Sequence, residues 1–259
     1  MCKVISLVNQ KGGVSKSTST INLGVGLAMK GKKVLIIDND PQGSTTASLG
    51  IKHPDELEVT LKTLLEKVID DEDIQSMEGI IHQEEGIDLL PSNIELSGLE
   101  VSLVNVMSRE QVLRNYIDGI RDYYDYILID CSPSLGMLTI NALTAADSVI
   151  IPVQAAYLPV KGLEQLLGTI TRVKKYLNRN LIIDGILISM VDTRTNIAKD
   201  IIEVITEVYG KQIRIFNTMI PFSVRAVESS ANGVSIYKHN KNGKLSKAYM
   251  GLCEEVLAI

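Results

Sequence analysis

Short apolar runs recur along the chain and alternate with stretches of helical periodicity. Buried strands are predicted at residues 4–8, 33–37, 126–130, 148–153 and 181–190. Helices are predicted after residue 20 and at residues 94–106, 109–121, 137–145 and 160–177. Apolar strands separated by helices are typical of a parallel sheet that is covered on both faces. We therefore predict an α/β fold: one doubly wound, mostly parallel sheet of seven or eight strands with helices on both faces.

The region between residues 52 and 88 is acidic and fits this pattern less clearly. Leu61, Leu64, Leu65 and Val68 predict a short amphipathic helix, and the acidic run 70–73 is expected to be its solvated end. A short strand into a turn is predicted at residues 87–92. Because the sequence contains no internal repeat, low-complexity linker or sign of a second domain, residues 1–259 are expected to form a single domain.

Composition narrows the class of protein. The chain is 45% hydrophobic, with two Phe and no Trp, so an aliphatic core is expected. Cys2, Cys131 and Cys253 lack C-x-x-C spacing, which argues against a zinc site or a disulfide framework and for a reducing cytoplasm. The first strand leaves no room for a signal peptide, and no apolar stretch is long enough to span a membrane. A soluble, cytoplasmic protein is expected.

A glycine-containing loop follows the first predicted strand and opens the first predicted helix. Residues 9–18 read N-Q-K-G-G-V-S-K-S-T. Glycines let backbone N–H groups approach a polyphosphate, and the helix start adds further unpaired N–H groups. Lys16 would then reach the β- and γ-phosphates, and the Ser17 hydroxyl would bind magnesium.

This loop departs from the standard pattern G-x-x-x-x-G-K-[ST], because Gln10 and Ser15 stand where it has glycines. What remains is K-G-G-x-x-K-[ST], with the additional lysine Lys11. Taken alone, the loop could be a glycine turn beside two solvated lysines. The later motifs decide between the two interpretations.

Carboxylates stand at the ends of two predicted strands. Asp38 and Asp40 belong to the segment D-N-D-P-Q-G at residues 38–43, and Asp130 ends an apolar strand in the manner of a Walker B aspartate. Ligands bind at this edge of open α/β sheets. A capped turn or an acidic strand end would explain either segment in isolation, but not their combination with the loop at residues 9–18.

Together these motifs resemble the ParA/Soj chromosome and plasmid partition ATPases, a deviant Walker A group within the MinD/ParA superfamily of P-loop NTPases. The resemblance extends over nearly the whole chain. It is carried by the loop at residues 11–18, by residues 38–43 and by residues 129–136, with further support from residues 139–143, 151–154, 220–221 and 224–225.

The resemblance implies an ATPase that uses ATP and Mg²⁺ and forms an ATP-sandwich homodimer. Lys16 would hold the phosphates, and Lys11 would reach the partner subunit's phosphates. Asp40 would position or polarise the attacking water. Ser17, Asp38 and Asp130 would organise the magnesium. Nucleotide contacts are expected from Lys11, Gly12, Gly13, Val14, Ser15, Lys16, Ser17 and Thr18, and, at the adenine, from Met190, Asp192, Ile220, Pro221 and Phe222.

Three residues depart from the family pattern. Ser15 replaces a glycine, Ser17 replaces the commoner threonine, and Ser132 replaces a proline. Ser17 keeps the hydroxyl, whereas Ser15 adds a side chain beside the phosphates or the partner subunit, and Ser132 relaxes the loop after Asp130. Since no charged group is lost, slow hydrolysis that a partner stimulates is expected.

The resemblance also implies nonspecific DNA binding on the nucleoid and a ParB-like centromere-binding partner. The net charge of −5 requires a local basic surface for this. Phe222 stands where many relatives carry a basic residue. A solvated fringe of lysines is the competing interpretation of the basic residues. The principal DNA candidates are Arg194, Arg225, Lys241, Lys244 and Lys247, and the others are Lys161, Arg172, Lys174, Lys175, Arg179 and Lys238.

Several related functions compete. A MinD-like membrane-cycling ATPase should end in a basic amphipathic helix, whereas residues 252–259 are short and acidic. No membrane partner is therefore expected. An iron–sulfur reductase needs cysteines that bridge a dimer, and Cys131 alone does not supply them. A tyrosine kinase would usually have a C-terminal tyrosine cluster, for which Tyr237 and Tyr249 are too sparse. A nucleotide-gated scaffold with little hydrolysis also remains open.

Overall fold

The computed structural model describes residues 2–155, 160–192 and 194–259, without the side chains of residues 160 and 161, and within these residues it contains a seven-stranded sheet. The strand order is β3-β4-β2-β5-β1-β6-β7, and every neighbouring pair is parallel except β3 with β4. The strands are β1 (Lys3–Leu7), β2 (Val34–Asn39), β3 (Ile81–His82), β4 (Asp88–Leu90), β5 (Tyr126–Cys131), β6 (Ser148–Gln154) and β7 (Ile182–Ser189).

Helices connect the strands and cover the sheet. Short 3₁₀ segments add turns at Pro54–Glu56, Leu103–Asn105 and Arg121–Tyr123. The α-helices are α1 (Lys16–Met29), α2 (Ser44–Ser48), α3 (Leu61–Ile69), α4 (Leu96–Ser102), α5 (Val112–Ile120), α6 (Met137–Ala145), α7 (Val160–Tyr176), α8 (Asn196–Tyr209), α9 (Val224–Ala231), α10 (Ile236–His239) and α11 (Lys244–Leu257).

Alternating side chains of the central strands supply two separate aliphatic cores. Leu35 and Ile129 lie in the core on the face covered by α3 to α8. Ile36 and Leu128 lie in the opposite core, beneath α1, α10 and α11. Because both faces are buried, the central strands are mostly apolar, as expected of an interior parallel sheet.

The predicted doubly wound, mostly parallel fold is confirmed. Isolated parallel bridges join Ile186 to Ile215 and Val191 to Pro221, so the chain beyond β7 runs along the sheet edge without forming a full eighth strand. Residues 70–73 are exposed, as predicted for the solvated end of α3. The helix predicted at residues 94–106 ends at Ser102 and continues as a 3₁₀ turn.

The last helix belongs to the core. The apolar side of α11, including Leu245, Leu252 and Val256, is buried in the same core as the apolar side of α1, and the two helices are in contact. Within the described residues, no helix has both the length and the apolar character that crossing a membrane requires.

Candidate functional site

A cleft of about 510 Å³ lies at the carboxyl edge of the sheet. One wall is formed by the loop after β1 and the start of α1, and the opposite wall by the segment before α9 and by α9 itself. Its lining includes Gly12, Gly13, Ser15, Lys16, Ser17, Thr18, Asp40, Gln42, Pro133, Met190, Ile220, Pro221, Phe222, Val227, Leu245 and Tyr249.

The loop after β1 is fixed by hydrogen bonds to neighbouring strands. Asn9 Oδ1 accepts from the Lys11 N–H at 2.9 Å, and Asn9 Nδ2 donates to the Pro152 carbonyl on β6 at 2.7 Å. Ser189 Oγ, at the end of β7, donates to the Val14 carbonyl at 3.0 Å. Gly13 and Ser15 both have positive φ, 69° and 66°. The first turn of α1 lines the cleft, and its N–H groups have no partner within the helix.

The two lysines of the loop lie in different environments. Lys16 is 7% exposed, and its Nζ donates to the Lys11 carbonyl at 3.1 Å. Burial lowers the pKa of Lys16, against the opposing effect of Asp130. The Lys11 side chain is exposed and does not line the cleft of its own chain. Val14 is buried beneath the loop.

Two fully buried carboxylates lie next to this loop. Asp38 and Asp130 are register partners on the adjacent strands β2 and β5, and each is 0% exposed. Burial, reinforced by Asp130, raises the pKa of Asp38 to about 7. Burial also raises the pKa of Asp130 to about 6, although hydrogen bonds from Ser17 and Thr45 oppose the shift. Two such carboxylates side by side attract a compensating cation.

Helix α2 supplies hydroxyl groups to both carboxylates. Thr45 Oγ1 donates to Asp130 Oδ2 at 2.8 Å. The N–H and Oγ1 of Thr46 donate to Asp38 Oδ2 at 2.8 and 2.7 Å. Both threonines are 0% exposed. We did not predict either residue from the sequence; the signal that could have found them is the run of three hydroxyl residues, Ser44 to Thr46, directly after the turn at residues 38–43.

Asp40 lies at the cleft wall on the turn between β2 and α2. It is 7% exposed, its N–H donates to Asp38 Oδ1 at 3.3 Å, and its Oδ1 accepts from the Gln42 N–H at 3.0 Å. These bonds within the turn fix the Asp40 carboxylate close to the loop lysine, and its second oxygen accepts no hydrogen bond from the described residues. Asp40 is therefore available to a ligand in the cleft.

The far end of the cleft is apolar and consists of two hydrogen-bonded segments. The Val191 N–H donates to the Ile220 carbonyl at 2.9 Å, and the Phe222 N–H donates to the Val191 carbonyl at 3.1 Å. Met190, with φ 52°, lines this end together with Ile220, Pro221 and Phe222. Asp192 does not line the cleft; its carboxylate binds Arg194 instead.

The structure also places the basic residues that were predicted to contact DNA. Arg194 is paired with Asp192, and Arg225 with Glu228. Lys241, Lys244 and Lys247 are exposed and form no ion pair within the described part of the chain. Lys238 pairs with Glu84. The side chain of Lys161 lies outside the described residues.

The residues around the cleft fit a polyphosphate and a hard metal ion. Backbone N–H groups and one buried ammonium favour phosphate oxygens, whereas the Ser17 hydroxyl and the two buried carboxylates are oxygen donors of the kind that Mg²⁺ prefers. No group of three or more His, Cys, Asp or Glu side chains suited to a metal occurs in the described residues. A magnesium ion here would therefore complete its coordination with phosphate oxygens and water.

Comparison with known proteins identifies the family. Residues 2–183 match the model of an AAA domain. The chain is 42% identical to the sporulation initiation inhibitor protein Soj of Bacillus subtilis (strain 168), over 100% of this chain and 99% of that protein. It is 40% identical to the chromosome partitioning protein ParA of Myxococcus xanthus (strain DK1622), over 98% of this chain and 88% of that protein.

Solved structures show the same fold. Cobyrinic acid a,c-diamide synthase from Mycobacterium smegmatis, solved with bound ADP and magnesium, superimposes with a TM-score of 0.87 at 33% identity and covers 99% of this chain and 94% of that one. A plasmid partition protein from Borrelia burgdorferi bound to AMPPNP gives a TM-score of 0.82 at 25% identity, with 100% and 99% covered. The similarity to Soj and ParA over at least 98% of this chain decides the assignment. The chain belongs to the Soj/ParA family of P-loop ATPases.

Proposed function

We propose that this protein is a magnesium-dependent ATPase that dimerises around ATP, binds DNA without sequence preference and drives DNA segregation with a ParB-like partner. The observation that carries the proposal is that Lys16 and Asp40 line one cleft, while the buried carboxylate of Asp130 accepts a hydrogen bond from Ser17 of the same lining and lies beside Asp38. Such a set is suited to polyphosphate binding and to hydrolysis by water. Relatives named for chromosome partitioning supply the biological context.

In this proposal, the loop N–H groups and Lys16 bind the phosphates of ATP. Residues Gly12 to Thr18 contact the triphosphate, while Met190, Ile220, Pro221 and Phe222 contact the adenine at the apolar end. Asp192 contributes through the position of its loop, because its carboxylate is engaged by Arg194. Ser17, Asp38 and Asp130 hold magnesium directly or through water, and the ion, when bound, neutralises charge on the phosphates.

Hydrolysis requires a positioned water and positive charge where negative charge develops. Asp40 orients the water, since its carboxylate lies at the cleft and is fixed by its own turn. Lys11 acts on the phosphates of the partner subunit. Its exposure and its absence from the lining of its own cleft support that role. A cation delivered across the dimer interface stabilises the developing charge.

DNA binding would follow from the exposed cations at the C-terminal side. Arg194, Arg225, Lys241, Lys244 and Lys247 contact phosphates, which gives affinity that is independent of sequence and sensitive to salt. ATP and DNA both favour the dimer, so their binding is coupled. A ParB-like protein stimulates hydrolysis, the dimer separates, and the protein leaves the nucleoid.

Two other functions have less support. A MinD-like membrane cycle needs a free amphipathic helix, but the apolar side of α11 is buried in the core. The M. smegmatis structure carries the name of an amide-forming enzyme, yet it shares 33% identity with this chain, compared with 42% for Soj over the full length. Partition is the better supported function.

The ATPase proposal is tested by turnover of ATP with Mg²⁺ in the wild type, Asp40→Ala and Lys16→Ala. Slow release of phosphate by the wild type, and none by Asp40→Ala while ATP still binds, is expected. Lys11→Ala should bind ATP as a monomer and fail to dimerise. Equal background rates in the wild type and Asp40→Ala, with nucleotide bound to both, would favour a nucleotide-gated scaffold over an ATPase.

A further inference from the structure

The two arginines among the principal DNA candidates, Arg194 and Arg225, are each paired with a carboxylate of the same chain. Nε and Nη2 of Arg194 donate to the two oxygens of Asp192, each at 2.8 Å. Nη1 of Arg225 donates to Glu228 Oε2 at 2.7 Å, across one turn of α9. The neighbouring lysines differ, because in the described residues Lys241, Lys244 and Lys247 have no carboxylate within ion-pair distance.

Glu228 has a second partner that keeps it in place. Its Oε2 also lies 3.0 Å from His239 Nε2, which comes from α10. Arg225 and His239 hold the pKa of Glu228 below its ordinary value, so the carboxylate is charged at neutral pH. Between residues 211 and 247, a stretch rich in Lys and Arg, Glu228 is the only acidic residue. The sole negative charge of this segment is thus paired with Arg225.

The two arginine–carboxylate pairs stand on neighbouring segments. The chain leading to Arg194 is hydrogen-bonded to the chain leading to Arg225, through Val191 with Ile220 and Phe222. Both segments line the apolar end of the cleft, through Met190 and Phe222. The same arrangement therefore occurs twice on neighbouring segments, at Arg194 and at Arg225.

We propose that Asp192 and Glu228 are built-in competitors of DNA phosphate, so that DNA binds through Arg194 and Arg225 only when phosphate displaces each carboxylate. This inference rests on the proposed DNA-binding function. A carboxylate and a phosphate present similar paired oxygens to a guanidinium group, so one replaces the other at the same donors. The lysines provide the first, unconditional attraction, and the arginines add affinity after the exchange.

The competition limits how tightly the protein holds DNA. Each phosphate gained by an arginine costs an existing ion pair, so the net gain is smaller than for a free arginine. Glu228 keeps His239 as a partner after Arg225 has moved, which makes that exchange less costly than leaving an isolated carboxylate. A protein that must leave DNA after hydrolysis benefits from such moderate affinity.

The test measures binding of a fluorescent nonspecific DNA duplex, with ATP and Mg²⁺ at fixed moderate salt, to the wild type, Glu228→Gln and Asp192→Asn. Each substitution should tighten binding roughly two- to fivefold, the range expected for an exposed ion pair. Glu203→Gln is the matched control, because Glu203 is an exposed glutamate on α8 without an ion pair in the described residues. That control should change affinity by less than twofold.

A double variant separates competition from a general effect of charge. In Arg225→Ala, which should bind DNA more weakly than the wild type, adding Glu228→Gln should give no further gain. An equal gain in both backgrounds, or wild-type affinity in Glu228→Gln and Asp192→Asn, would overturn the inference while leaving DNA binding intact. Failure of the wild type itself to bind DNA with ATP would overturn the proposed function and this inference together.

Discussion

The backbone conformation at Ser15 constrains the choice of residue in the loop after β1. Its φ of 66° lies in the left-handed region, where a residue with a Cβ costs about 1–2 kcal/mol and glycine costs little. The resemblance to ParA and Soj implies a glycine at this position. Ser15→Gly should therefore raise the free energy of unfolding by about 1 kcal/mol, after allowance for the greater flexibility of glycine in the unfolded chain. Chemical denaturation measures this.

Gly13 provides the opposite control for the same strain. Its φ is 69°, and a Cβ added there would meet no atom within 4 Å. Gly13→Ser therefore tests the backbone conformation without a steric clash, and it should lower the free energy of unfolding by a similar amount. An unchanged or lower stability in Ser15→Gly would show that the Ser15 side chain makes favourable interactions that outweigh the strain.

The paired carboxylates predict a dependence of stability on pH. Folding raises the pKa of Asp38 to about 7 and of Asp130 to about 6, both from 3.8. Between pH 3.8 and these raised pKa values, the folded state therefore binds more protons than the unfolded state. The free energy of unfolding consequently falls as the pH rises from about 4 to 7. Asp130→Asn keeps the shape of the side chain but removes its charge, so the free energy of unfolding should depend less on pH. At pH 8 the variant should be more stable than the wild type by on the order of 1–3 kcal/mol.

Urea denaturation of the metal-free wild type and of Asp130→Asn at several pH values checks this prediction. The Thr45 and Thr20 hydroxyls, which donate to Asp130, can rotate to accept from the new amide, so the variant should remain folded. Parallel pH profiles for the two proteins would contradict the assignment of the fall to this pair.

Most of the residues predicted to contact nucleotide line the cleft, but Asp192 does not. Lys16, Ser17, Asp40 and Phe222 line one cleft, because the motifs fix their place at strand ends. Asp192 does not line it, since its carboxylate is taken by Arg194. The spacing of Arg225 and Glu228 on a helix could have indicated their pairing. The contact of Glu228 with His239 could not be foreseen, because it joins two helices whose packing no local pattern encodes.

At the scale of elements, α2 connects the turn that carries Asp40 to both buried carboxylates. Its sequence, S-T-T-A-S, has low helix propensity, so the sequence did not predict it. The helix is held instead by Thr45 and Thr46, which donate to Asp130 and Asp38. Strand β3 was also missed, because two residues are too few to show an alternating pattern.

Thr45→Val should weaken nucleotide binding in the presence of magnesium by about tenfold, because loss of its hydrogen bond would let the Asp130 carboxylate turn away from the proposed magnesium position. Affinity for a fluorescent ATP analogue, measured with Mg²⁺ and with EDTA, checks this. Thr45→Ser, which keeps the hydroxyl, should restore the magnesium-dependent part of the affinity for the ATP analogue. The matched control is Thr144→Val, a buried threonine on α6 whose hydroxyl donates to the Ile140 carbonyl. Equal losses in the two valine variants would contradict a specific role for Thr45.

At the scale of the whole molecule, strand order is what assembles the site. The alternation of apolar strands and helices was sufficient to predict a doubly wound sheet, because that pattern has few alternatives. It did not give the order of the strands. Placing β5 between β1 and β2 makes Asp130 the register partner of both Leu7 and Asp38, which brings the loop after β1 and the two carboxylates together. Only long-range pairing determines this neighbourhood.

In the proposed cycle, ATP held in this cleft controls DNA binding elsewhere on the molecule. The most direct test is DNA affinity as a function of salt concentration, for the wild type with ATP, the wild type with ADP, and Lys16→Ala with ATP. Tight binding with ATP alone, a steep decrease with salt, and loss of binding in Lys16→Ala are expected. Binding that is equal with ATP and ADP, or absent at low salt, would contradict the proposed cycle.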